Sequence, residues 1–114
     1  MFFAMHLNTT IFMQVNENGL VSFSTEISIF YNVQFPMEYP IIAPFYADID
    51  TRGVGQVYSR ASREPEDLSR AANLVRQYYQ TEFQPKEIVV ITWDQVGYFD
   101  NMTDKVIFFV IRFL

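Results

Sequence analysis

Residues Tyr39 to Arg60 read YPIIAPFYADIDTRGVGQVYSR. An apolar run, Pro40-Ile41-Ile42-Ala43-Pro44-Phe45-Tyr46, leads into two acidic residues spaced two apart, Asp48 and Asp50. The glycine turn Arg52-Gly53-Val54-Gly55 follows, and then the alternating segment Gln56-Val57-Tyr58-Ser59. Short apolar runs bounded by turn residues predict a buried strand, a turn and a returning strand. Side chains two apart on a strand share a face, which groups Asp48 and Asp50 with Tyr46. Two carboxylates on one face at the mouth of a turn make either a cation or polar-network site or a hydrogen-bonded turn anchor.

Upstream, Thr10–Val15 and Leu20–Ser24 have strand composition and flank Asn16-Glu17-Asn18-Gly19. Asn-Gly supplies the positive φ angles of a tight hairpin. Alternation of Val21 and Phe23 with Ser22 and Ser24 predicts one buried and one wet face. Thr25 to Tyr39 has no clean period and is punctuated by Pro36 and Pro40, which predicts a loop or edge segment laid across the core. Its aromatic cluster, Phe30, Tyr31, Phe35 and Tyr39, reads as a hydrophobic cover over one sheet face or as a ligand-stacking surface.

Downstream, Ser62-Arg63-Glu64-Pro65-Glu66-Asp67 is a helix start: proline suits the first turn and acidic residues there complement the helix dipole. Leu68, Ala71, Ala72, Val75, Tyr78 and Tyr79 follow at helical spacing, so one amphipathic helix over about 65–80 packs on the sheet. Glu87–Trp93 is β-branched and apolar almost throughout, a central strand buried on both faces. Asp94–Phe99 continues as a strand end or bulge with Gly97 as the permissive point, residues 100–105 form a polar loop, and Val106–Leu114 is a last strand. The class is α+β: a β-rich sheet with an N-terminal hairpin and one helix.

Ala43–Asp50 followed by the Gly turn, the helix, Phe83-Gln84-Pro85 and the strand ending Thr92-Trp93-Asp94-Gln95-Val96-Gly97-Tyr98 resembles the nidogen N-terminal (NIDO) domain. Asn16-Glu17-Asn18-Gly19 with Val21 and Phe23 matches the hairpin that introduces that family. The likeness covers about residues 10 to 106; Val106–Leu114 is more apolar than the family's strand at that point, so the chain reads as a domain incomplete at its C-terminus, residues 10–114, behind a leader-like or frayed segment, 1–9. The resemblance implies a non-catalytic extracellular module of a nidogen-like protein, placed in basement membrane or at the cell surface as part of a longer parent chain. It implies cell–matrix adhesion and matrix organisation through laminin- or collagen-type partners, with no contact residue assigned.

Composition limits the alternatives. One hundred and fourteen residues make one domain with a modest core. Half are apolar and 18% aromatic, which excludes disorder and favours sheets. A net charge of −5 with dispersed arginines argues against a nucleic-acid surface, and no apolar run reaches the ~20 residues of a membrane span. The absence of cysteine excludes disulfides and thiolate chemistry. His6 is the one histidine, so neither a Ser-His-Asp set nor a zinc site assembles around it. The remaining chemistry is carboxylate chemistry: Asp48, Asp50 and Asp94, with Glu38 as a fourth, are candidates for calcium or for a small hydrolase, and Asp48 and Asp50 are the weak metal candidates; no other cofactor is expected. Asn8-Thr9-Thr10 and Asn101-Met102-Thr103 are glycosylation sequons, which points to secretion.

Overall fold

The computed structural model describes residues 3–7, 11–23, 27, 29–30, 32–100 and 102–113. Strands β2 (Ile11–Asn16) and β3 (Leu20–Phe23) form the antiparallel hairpin, with Asn16 opposite Leu20 and three residues between. Gly19 alone of the turn takes a positive φ, +78°, and its N–H donates to the Asn16 carbonyl at 3.2 Å. The connection is therefore a three-residue turn closed by a left-handed glycine, and Asn18 keeps an ordinary φ. Phe3–Leu7, where a frayed end was expected, forms β1 and pairs antiparallel with β2 over its five residues.

The apolar run 40–46 does not make a long buried strand. Only β4 (Ile41–Ile42) pairs, against Ser22 and Val21, giving the sheet order β1-β2-β3-β4. Pro40 and Pro44 bracket that dipeptide, and a residue without an N–H cannot extend a ladder. The pairing puts β3 between two strands, and Ser22 is 1% exposed where a wet face was expected. Of the expected aromatic cover, Phe35 and Tyr39 are exposed, and Tyr31 lies outside the described residues. Phe30 and Phe35 gather instead on Tyr46, with ring centroids 4.9 and 5.5 Å away.

The second sheet is built on β7 (Ile88–Tyr98), which runs through Trp93 into the expected strand continuation. β6 (Gln56–Ser62) pairs with its first seven residues, β5 (Ile49–Asp50) with Tyr98 and Gly97, and β8 (Met102–Phe113) with Val89 through Tyr98. Tyr98 pairs with both Ile49 and Met102, so β5 and β6 share one edge of β7 and β8 holds the other. The glycine turn thus carries the chain along β7 and does not fold β5 back against β6. β8 begins at Met102, which takes up most of the expected polar loop. The predicted bulge is present as register shifts after Trp93 and Val96, but the left-handed residue is Gln95, φ +51°, not Gly97. Gly97 is needed for close approach: a Cβ there would lie 2.7 Å from the Met102 carbonyl oxygen.

The two sheets face one another across the main core. Met13, Val15 and Val21 from the first sheet meet Ile49, Val57, Val89, Ile91, Trp93 and Val96 from the second. Each fully buried side chain of this size stabilises by roughly 1.5–3 kcal/mol. Alternate β7 residues, Ile88 and Val90, point to the opposite face, where α1 (Pro65–Tyr79) packs through Ala71 and Leu68. The first part of β7 is therefore buried on both faces, between a sheet and a helix. The helix carries Pro65 at its start and Glu66 and Asp67 in its first turn, and it ends with Gln80 in the left-handed conformation. Its apolar stripe is shorter than its spacing implied: Tyr78 and Tyr79 are 72% and 77% exposed, because the underlying face ends at Ile88 and Val90. No helix among the described residues is long and apolar enough to cross a membrane.

Candidate functional site

The hairpin turn ties the two sheets together with buried polar groups. Asn16, almost fully buried, accepts the Asn18 N–H on Oδ1 at 2.8 Å and donates through Nδ2 to the Ile27 carbonyl. Asn18, also buried, accepts the Ile49 N–H on Oδ1 at 2.8 Å, and its carbonyl accepts from Ala47 N–H at 3.1 Å. Trp93 closes the knot from the second sheet, its Nε1–H shared between the carbonyls of Asn16, 3.2 Å, and Glu17, 3.0 Å. Every strand of this knot lies where buried polar atoms must find partners, and among the described residues no buried side-chain nitrogen or oxygen lacks one.

Beside the knot opens a cleft of about 260 Å³ lined by Glu17, Asp48, Asp50 and Asp100, with Arg52 and Phe99. Phe99 N–H donates to the Asp48 carbonyl at 2.9 Å, which brings the β7–β8 turn against β5. Thr51 Oγ1 donates to Glu17 at 2.9 Å. Asp48 and Asp50 both line this cleft, although Asp48 precedes β5 and Tyr46, expected on the same face, packs with Phe30 and Phe35 instead. Asp50, 8% exposed, is engaged by its neighbour: Oδ1 accepts the Arg52 backbone N–H at 3.0 Å and Nε–H at 2.8 Å, and Oδ2 accepts from Nε at 3.0 Å and from Nη2. The hydrogen bond and charge of Asp50, with smaller contributions from Asp100 and Glu17, hold the Arg52 pKa above its ordinary value. The cleft is therefore a carboxylate-rich surface already carrying its own cation. Calcium needs six to eight converging oxygens, and among the described residues no group of three or more acidic or histidine side chains is placed to hold a metal.

Asp94 belongs elsewhere. It pairs with Gln56 across β6–β7 and lines a second cleft of about 410 Å³ beside the 51–55 turn. Glu38 is exposed in the preceding loop and lines neither cleft. The three-aspartate hydrolase constellation is not assembled. Asn8 and Asn101 lie outside the described residues; Asp100, Met102 and Thr103 around the second sequon are exposed. The roles of Asn16, Asn18, Glu17 and Asp100 were not visible in the sequence, where the turn signal accounted for the asparagines and no spacing linked the acids.

The nidogen-like domain model matches residues 10–110. The chain is 39% identical to Nidogen of Drosophila melanogaster over 98 residues, covering 82% of this chain and 7% of that protein. It is 35% identical to mouse Alpha-tectorin over 89 residues, 75% of this chain and 4% of the relative, and 38% identical to mouse Nidogen-1 over 86 residues, 73% and 7%. The chain therefore spans less than a tenth of the length of these relatives. No solved structure matches. With a family match over nearly the whole chain, on the hairpin, helix and long strand described above, the chain belongs to the nidogen-like domain family.

Proposed function

We propose that the chain acts outside the cell as a binding module, contributing to cell–matrix adhesion and to the organisation of matrix or basement membrane, with laminin- or collagen-type proteins as partners of the protein it serves in. As a nidogen-like domain it is a structural module and not an enzyme. The observation that carries the reading is the family match over residues 10–110. The structure supports it with a rigid two-sheet scaffold that leaves aromatic and acidic side chains on its surface, which suits recognition by contact. In this reading Asn8 and Asn101 carry N-linked glycans.

The test is expression of residues 1–114 behind a signal peptide in adherent cells, followed by glycosidase treatment and separation of medium from detergent-insoluble matrix. A glycosidase-sensitive product retained in the matrix fraction is expected. Product that reaches the medium and leaves the matrix fraction empty overturns the matrix role. An unchanged electrophoretic mobility after glycosidase removes the glycans.

A further inference from the structure

Among the described residues, α1 covers only part of the outer face of the second sheet. Ile88 and Val90 lie beneath Leu68 and Ala71 of α1. Two and four residues further along the same face come Thr92 and Asp94, paired with Tyr58 and Gln56 of β6. The helix does not reach this end, and Tyr58 is 51% exposed. The 51–55 turn rises beside it and makes the wall of the 410 Å³ cleft. Gly55, φ +82°, rests its backbone directly on the bulge: a Cβ there would meet the Gln95 carbonyl oxygen at 2.5 Å and the Asp94 carbonyl oxygen at 2.6 Å. The bulge in turn holds Gln95 at a left-handed φ with its side chain exposed at the rim. Wall and bulge are thus locked together, and the polar side chains around them are presented from a fixed backbone.

The chemistry of this lining selects a ligand class. Among the described residues no lysine or arginine lines the cleft, and Asp94 does, which disfavours phosphate, sulfate and nucleic acid. Among the described residues the cleft has one carboxylate, Asp94, too few for a divalent cation. Two carboxamides, Gln56 and Gln95, with Asp94 and Thr51 supply paired donors and acceptors suited to vicinal hydroxyls. Tyr58 adds an aromatic face that packs against C–H groups and a hydroxyl that hydrogen-bonds. A ring with hydroxyls on its edge and C–H groups on its face satisfies both at once. We infer that the Tyr58–Asp94–Gln95 cleft is a binding site for an uncharged pyranose glycan, with room for about one or two sugar rings.

The experiment uses the full chain and four neutral disaccharides: lactose, maltose, cellobiose and diacetylchitobiose. Each is titrated to about 20 mM while saturation-transfer NMR follows the sugar and tyrosine ring signals follow the protein. Saturable binding of at least one is expected, together with an approximately ten-fold loss of affinity in Tyr58→Ala and in Gln95→Ala. Gln95 is exposed and Tyr58 is half exposed, so melting curves are measured alongside, and affinity is compared at a temperature where each variant is folded. A sulfated disaccharide should not compete. Failure of all four sugars to saturate, or binding that neither substitution weakens, overturns the site. Sugar binding is read on the purified chain, so its failure leaves the extracellular assignment standing.

Discussion

Removing the Asn16 side chain is expected to destabilise the fold far more than its polarity suggests. In Asn16→Ala two buried bonds go: the acceptor for Asn18 N–H and the donor to the Ile27 carbonyl. Each is worth about 0.5–1.5 kcal/mol net, and each stranded partner adds a desolvation penalty of about 1–3 kcal/mol. A water entering the vacated space recovers part of this, so the working figure is a loss of about 2–4 kcal/mol. Against a typical total of about 5–15 kcal/mol that is a large share. The assay is urea unfolding followed by fluorescence of Trp93, the one tryptophan, which is fully buried and bonded to the same turn. With a slope of about 2 kcal/mol per molar urea, the midpoint should fall by roughly 1–2 M. Glu17→Ala is the comparison, because it alters the neighbouring residue of the same turn but removes the partly buried bond from Thr51 and a small charge interaction with Arg52. Its cost should stay near 0.5–1 kcal/mol. Equal and small losses for the two variants, both below about 0.5 kcal/mol, would refute the idea that a buried asparagine knot joins the sheets.

Gly55→Ala should cost about 2–5 kcal/mol, combining a left-handed φ that an L side chain resists with a Cβ driven into the bulge backbone at 2.5 Å; a thermal melt within a degree or two of the parent contradicts that packing. Acid sensitivity is expected from the helix start. Asp67 accepts from Arg60 at 2.7 Å and from Ser62 at 2.6 Å, which lowers its carboxyl from 3.8 to about 2. A depressed carboxyl stabilises the fold above its unfolded value, and that contribution fades as pH falls from about 4 through about 2. Asp67→Asn should therefore flatten the stability curve across that window while leaving its shape at neutral pH unchanged. An acid limb as steep as the parent's shows that the pair does not contribute.

Local chemistry made several elements legible. Asn18-Gly19 announced the hairpin, Pro65 with Glu66 and Asp67 announced the helix start, and the β-branched run from Ile88 announced the strand on which the second sheet is built. Each signal acts over a few residues, so no tertiary information was needed. Apolar content alone misled where burial depends on what lies opposite. Pro40–Tyr46 is as hydrophobic as a core strand, yet its prolines cap the ladder at two residues. Tyr78 and Tyr79 keep helical spacing past the end of the face beneath them. Hydrophobic periodicity states which side chains share a face, not whether that face has a partner.

The acidic residues show the same limit in electrostatic form. Asp48 and Asp50 were grouped by strand spacing, and the fold does place them in one cleft, because β5 is short and its ends are fixed by Asn18 and by Phe99. Asp94 is separated from them because β5 and β6 occupy successive lengths of one edge of β7, an arrangement that no interval in the sequence encodes. The same topology brings Glu17 and Asp100, distant in sequence, to the cleft where Arg52 pairs with Asp50. One edge of one strand thus sorts the carboxylates into two surfaces of different character. The first is charge-rich and carries its own arginine; the second has, among the described residues, one carboxylate among amides and a phenol, which is why a neutral, hydroxyl-bearing ligand suits the second and not the first.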